Sequence, residues 1–289
     1  MNDIDIDIDI DIESDIEAPR SAGSSGDIRP LGPAPAWPPK PEKGNPDEEW
    51  DAVALRVPVK HFPRHYWDPW RYAYVIIEEL SRTSWTKDIK VERPSDEQLD
   101  ADIKKMLLKT DTRSAIRRAM MPEILAQRSQ ATRYWQAMLM FNSRSHPWTF
   151  SLLQSAHHVG RYMAMYFKAK FNVPRPSQRS PAILPWIDPP AHASYPSGHA
   201  TEGMLISISL AHVVPEAERP LIDLATRVGR NREIAGLHYA GDTDAGFKIA
   251  RQAFPIVSKC PTFEDLLAKA KAEWDALKDA GPSSHAAKA

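Results

Sequence analysis

The run Tyr195-Pro196-Ser197-Gly198-His199-Ala200-Thr201 leads directly into an apolar stretch, Met204 to Val214. Pro196, Ser197 and Gly198 suit a turn, and the apolar stretch suits a helix. A helix that opens there carries backbone N–H groups with no carbonyl partner, and such groups bind anions. Gly198 has no side chain to hold a ligand away from the backbone. Ser197 adds a hydroxyl, and His199 adds a ring that takes or gives a proton near neutrality. A Ser-Gly pair before a helix serves equally well as a plain N-cap, so the flanking residues have to decide between the two.

Upstream, Lys168 is followed after six residues by Arg175-Pro176. Downstream, Arg232 is followed after five residues by His238 and after three more by Asp242. The pattern K-x6-R-P, P-S-G-H, R-x5-H-x3-D resembles the signature of the type 2 phosphatidic acid phosphatase and vanadium haloperoxidase superfamily, which includes the bacterial non-specific acid phosphatases. The resemblance covers Lys168 to Asp242. One position departs from it: the third motif usually opens with Ser before the Arg, and here Asn231 stands there. Asn still donates and accepts hydrogen bonds, so only one contact to a phosphate is put in question.

The resemblance implies an all-α helical bundle of the acid phosphatase and vanadium haloperoxidase type, and a phosphate-binding set of Lys168, Arg175, Ser197, Gly198 and Arg232. A phosphoryl group in transfer carries negative charge on its equatorial oxygens, so fixed cations are what its chemistry needs. The arginines supply planar forks matched to an oxyanion. His238 is then the candidate nucleophile, giving a phosphohistidine. Its second ring nitrogen must keep its proton, and Asp242 is spaced to accept it. His199 protonates the leaving alcohol and then activates water. Each residue has a plainer use: Arg175 as a surface charge, Lys168 as a cation at a helix C-terminus, Asp242 as an N-cap.

The expected activity is phosphoric monoester hydrolysis of a small, soluble, anionic ester, without nucleic acid, metal or cofactor. The alternative is a vanadate-dependent haloperoxidase with vanadium at His238. A non-catalytic anion-binding protein is a third reading. Only 32 residues separate His199 from Arg232, as in the compact acid phosphatases. His192, seven residues before His199, points the other way, because haloperoxidases place a halide-tuning aromatic or histidine there.

Charge is unevenly spread. Residues 1–30 carry nine acidic and two basic groups, a net of −7, so a whole-chain charge of −1 leaves +6 on residues 31–289. A mildly basic body suits an anionic substrate. The longest apolar run is too short to span a bilayer. The N-terminus shows no basic start before an apolar core, and Cys260 is the single cysteine, so a cytoplasmic location is expected.

In chain order, Asp3 to Ile12 alternates Asp and Ile and reads as a disordered acidic tail. A Pro-rich linker follows to residue 47. Residues 48–280 read as one all-α catalytic domain and 281–289 as a flexible tail. Its aromatic-rich start, with Trp67, Trp70, Tyr72 and Trp85, is expected to pack as an arm on a helical core. Helices are expected over 68–80, 95–108, 112–141 with a bend at Pro122, 145–171, 197–214, 216–235, 242–258 and 263–279. Between them, 172–195 is a proline-stiffened loop that rims the site.

Overall fold

The computed structural model describes residue 62 and residues 64–109 and 114–279, so the acidic tail, the linker to residue 47 and the tail after 280 lie outside the described residues. Every regular element described is helical, and these helices belong to a unit that begins at Tyr66. They are α1 (Tyr72–Ser81), α2 (Trp85–Asp88), α3 (Asp96–Lys109), α4 (Ala115–Gln130), α5 (Arg133–Leu139), α6 (Pro147–Phe171), α7 (Pro176–Arg179), α8 (Gly198–Val213), α9 (Glu218–Ile234), α10 (Ala240–Val257) and α11 (Pro261–Asp279).

Helix α8 is the axis of the bundle. Its apolar residues run all round the helix rather than down one stripe, which suits a helix covered on every side. Ala200, Met204, Leu205, Ile206 and Leu210 are fully enclosed, with α6, α9 and α10 packed around them. Two serines on this helix are buried without loss: Ser207 donates to the Leu221 carbonyl at 2.7 Å and accepts from the Trp135 indole at 2.7 Å, and Ser209 donates to the Leu205 carbonyl at 2.7 Å. Gly246 lets α10 approach the start of α8. A Cβ there would stand 2.8 Å from both the Ala200 Cβ and the Ser197 carbonyl oxygen, so the close crossing demands glycine.

The expected single helix over 112–141 is two helices. Its break falls at Ala131–Thr132 and not at Pro122, which α4 carries in its interior. The turn lets α5 drive Trp135 into the core beside α8, and that burial outweighs helix continuity. The aromatic arm divides: Tyr72 and Trp85 are buried, whereas Tyr74 lies exposed on α1. The proline-rich 172–195 loop contains the short helix α7. No described helix is long and apolar enough to cross a membrane.

Two long helices start with poor caps. Helix α6 opens His146-Pro147-Trp148-Thr149 and α11 opens Cys260-Pro261-Thr262. Proline suits the first turn of each, but neither His nor Cys is a good N-cap. The orphan amides are met from neighbouring helices instead. Glu273 of α11 accepts from Trp148 N (2.8 Å), Thr149 N (2.9 Å) and the Thr149 hydroxyl (2.8 Å). Glu79 of α1 does the same for Thr262 N at 3.1 Å and its hydroxyl at 2.6 Å. These carboxylates satisfy donors, complement the helix dipoles, and lock α1, α11 and α6 in sequence. Glu273→Ala is expected to cost about 1–2 kcal/mol, read as a lower midpoint of urea unfolding. The exposed neighbour change Asp275→Ala should stay within about 0.5 kcal/mol.

Candidate active site

Helix α9 ends where the third motif needs it to. Arg232 lies in its last turn, Gly236 takes a left-handed φ of +83°, and Leu237 N bonds back to the Arg232 carbonyl at 3.0 Å while Gly236 N bonds to the Glu233 carbonyl at 2.9 Å. This paired closure favours glycine at the left-handed position. It turns the chain so that His238 emerges beside the first turn of α10, which carries Asp242.

His238 is buried, and its Nδ1 lies 2.8 Å from Asp242 Oδ2. The same oxygen accepts from the Ser194 hydroxyl at 2.5 Å and from Tyr239 N at 3.2 Å. Asp242 is therefore both the helix-start carboxylate and the partner of His238. An acceptor on Nδ1 fixes the tautomer with the proton on that nitrogen and the lone pair on Nε2. Burial, then the cations Lys168 and Arg175, and the His199 and His192 rings hold the His238 imidazole well below its ordinary pKa. The ring is thus neutral. Burial also pushes the Asp242 carboxyl up, opposed by the Ser194 hydroxyl, by Lys168, by Tyr239 N–H and by Arg175.

The Nε2 of His238 faces Arg175 Nη1 at 3.0 Å. Arg175 also donates from Nε to the His192 carbonyl (3.0 Å), from Nη1 to the Leu237 carbonyl (3.1 Å) and from Nη2 to His192 Nδ1 (2.9 Å). It is 2% exposed, which rules out the plain reading as a surface charge. Lys168, in the last turn of α6, donates to the Ala193 and Ser194 carbonyls at 2.8 and 2.9 Å. An ammonium has three donors, so one remains for an anion. Burial pulls the Lys168 ammonium below the usual lysine range, and Arg175 adds to that. Lys168 ties α6 to the proline-rich loop, and Arg175 ties the start of that loop to its own His192 and to Leu237 and His238. Pro174, Arg175, Gln178, Pro189 and His192 line a cavity of about 650 Å³.

The second group of residues meets at α4. His199 Nε2 lies 2.9 Å from the Gln127 carbonyl, so that nitrogen carries the proton and donates. Arg232 donates from Nη2 to the Ile124 carbonyl (3.0 Å) and to Gln127 Oε1 (3.1 Å), while its Nε is buried with no hydrogen-bond partner. Burial, Arg232 and Arg161 push the His199 imidazole down, to about 4, against the opposing charge of Glu202. Burial lowers Arg232 to about 10, so it stays charged. Ser197 accepts from Ala200 N at 3.4 Å and thus caps α8, the plainer of its two readings, and Gly198 is the first residue of that helix. Asn231 turns its amide to Glu123 (3.0 Å) and Gln127 (2.9 Å).

Sequence reasoning missed three contributors. Ser194 gives no signal of its own beyond standing next to Tyr195. Gln127 sits on a helix read only as core. Glu202, one turn into α8, holds Arg161 Nε and His157 Nε2 at 3.2 Å each. Burial works to raise the Glu202 carboxyl, but Arg161 and His157 outweigh it and hold it well below the usual range.

No family model matches the chain. Among curated proteins it is similar to a non-specific acid phosphatase of Salmonella typhimurium, 34% identical over 82 residues, which is 28% of this chain and 33% of that protein. A non-specific acid phosphatase of Providencia stuartii is 33% identical over 87 residues, 30% of this chain and 35% of the relative. The chain thus spans about a third of the length of these relatives. A crystal structure described as the first transmembrane PAP2 type phosphatidylglycerolphosphate phosphatase, from Bacillus subtilis, superposes with a TM-score of 0.44 at 16% identity, covering 66% of this chain and 94% of that one. In its three motifs and over the matched third, the chain is similar to the acid phosphatases of the type 2 phosphatidic acid phosphatase superfamily.

Proposed function

We propose that this chain hydrolyses phosphoric monoesters through a phosphohistidine on His238, acting on a small soluble ester. The observation that carries the reading is the His238 ring: neutral, buried, its Nδ1 held by Asp242 and its Nε2 turned to a guanidinium. A nucleophile needs that lone pair, and a phosphate needs that cation.

In the first step Nε2 of His238 attacks phosphorus and the ester P–O bond breaks. The departing oxygen takes a proton from His199 Nδ1, since Nε2 of that ring is engaged with α4. In the second step His199 Nδ1 removes a proton from water, the hydroxide attacks phosphorus, and the P–N bond breaks to release phosphate and neutral His238. Lys168, Arg175 and Arg232 stabilise the equatorial oxygens, and the open N-terminus of α8 at Gly198 adds backbone donors. A second reading, halide oxidation with vanadate held at His238, draws on His192, which is hydrogen-bonded to Arg175.

The test is phosphate release from an aryl phosphate, run beside a bromide, peroxide and vanadate halogenation assay. Phosphate release that falls at least about 10³-fold in His238→Ala, with a phosphohistidine trapped on rapid acid quench of the unaltered chain, is the expected result. Halogenation without phosphate release would instead favour the vanadate reading.

The pH dependence follows from His199. It must be protonated to serve as acid, and burial with Arg232 lowers its pKa to about 4 in the free protein. A bound phosphate dianion offsets those cations and raises it. Because kcat/KM reports the free protein and kcat the complex, both fall as pH rises, and kcat falls at the higher pH. Profiles corrected for the ester's own ionisation check this. His199→Asn should remove the limb and cost roughly 10²–10⁴ in rate with alkyl esters. With a nitrophenyl ester, whose leaving group needs no proton, the first burst of nitrophenol should be largely spared while the steady-state rate falls with the water step.

A further inference from the structure

Helix α4 carries no residue of the three motifs, yet three of the motif side chains, His199, Asn231 and Arg232, end on it. Gln127, fully buried, is the point where they meet. Its main-chain carbonyl takes His199 Nε2 at 2.9 Å, and its side-chain oxygen takes Arg232 Nη2 at 3.1 Å and Asn231 Nδ2 at 2.9 Å. The amide nitrogen of Gln127 donates to Glu123 Oε1 at 2.7 Å, which fixes which end of the amide faces Arg232. Glu123 is in turn gripped by Arg227 through Nε at 2.7 and 3.0 Å and through Nη2. The Gln127 amide is therefore locked, and cannot rotate without losing bonds at both ends.

We propose that Gln127 is a positioning residue of the phosphate site, holding Arg232 with one end of its guanidinium on α4 so that the buried, unpartnered Nε is presented to the anion. The inference rests on the phosphatase reading. It follows from donor geometry. A guanidinium is a rigid fork, so a bond that pins Nη2 also sets the direction of Nε–H. The Ile124 carbonyl, at 3.0 Å from the same Nη2, fixes the fork's distance from α4. With the Gln127 oxygen removed, a buried cation keeps one acceptor there instead of two, and its fork is free to turn. Oxyanion stabilisation depends on preorganised donors and falls when they must reorganise during the reaction. The loss should therefore appear in kcat more than in KM.

The experiment is a double-substitution cycle on the full chain with an aryl phosphate. Gln127→Leu removes the side-chain oxygen and leaves the main-chain carbonyl on His199. Expected are a fall in kcat of roughly 10-fold with KM changed less than about 3-fold, and weaker competitive inhibition by inorganic vanadate, a transition-state mimic. In an Arg232→Lys background the same change should cost less than about 2-fold, because the group that Gln127 orients is no longer a fork. Equal losses in both backgrounds, or no loss in either, overturn the role. Gln127→Met, similar in volume and also without the oxygen, must reproduce the Gln127→Leu result; full activity in it assigns the loss to packing and overturns the proposal. Absence of phosphatase activity in the unaltered chain overturns instead the reading on which it rests.

Discussion

The cations of the site are held by carbonyl oxygens and not by carboxylates. Lys168 takes those of Ala193 and Ser194, Arg175 those of His192 and Leu237, and Arg232 that of Ile124. Burying an ion is costly, and a carboxylate partner would recover much of that cost. It would also neutralise the charge an anion needs to find. Carbonyl dipoles hold the positions of the cations without cancelling them. The same bonds give the proline-rich loop its shape, since its carbonyls converge on two side chains projected from α6 and from the loop's own start. The loop and the cations thus define one another.

That arrangement determines the state of the two histidines. His238 is buried and His199 half-buried, both near cations that no carboxylate bonds directly, so each is pushed toward the neutral form. For His238 this agrees with its proposed work, because a nucleophile has to be unprotonated. For His199 it opposes the work, because an acid has to be protonated. On the proposed mechanism an arriving dianion removes the conflict by offsetting the cations, which links binding to proton uptake. Glu202, kept ionised by Arg161 and His157, is a carboxylate whose charge favours protonated His199. In that mechanism, two like rings take different tasks because of what surrounds them.

Most of the helices were legible because the pattern and the punctuation agree: α6 ends at Phe171 and α11 at Asp279, where their apolar periodicity stops. The division of α4 from α5 was not legible, because proline at 122 is the only local breaker and the turn is set by where Trp135 is buried. Among the candidate site residues, spacing identified those that lie on or next to helices of the motifs themselves. It gave no access to Ser194, whose bond to Asp242 joins residues 48 apart, or to Gln127, which reaches Arg232 across 105. A periodicity argument sees one element at a time, and these contacts exist only once elements pack.

Asn231 illustrates the difference. Compared with the usual serine of the motif, asparagine looks like a small loss of fit to a phosphate. In the folded chain its amide points the other way, and its two N–H groups meet two acceptors on α4, Glu123 Oε1 and Gln127 Oε1. A serine has a single hydroxyl proton and a shorter reach, so it satisfies at most one of them. The departure at 231 and the acceptors at 123 and 127 are therefore one matched set, with Arg227 closing it from the outer side. A residue that reads from the sequence as a loss at the candidate anion site instead fastens a helix from outside the motifs to the arginine beside it, which is how a short signature comes to depend on a segment a hundred residues away.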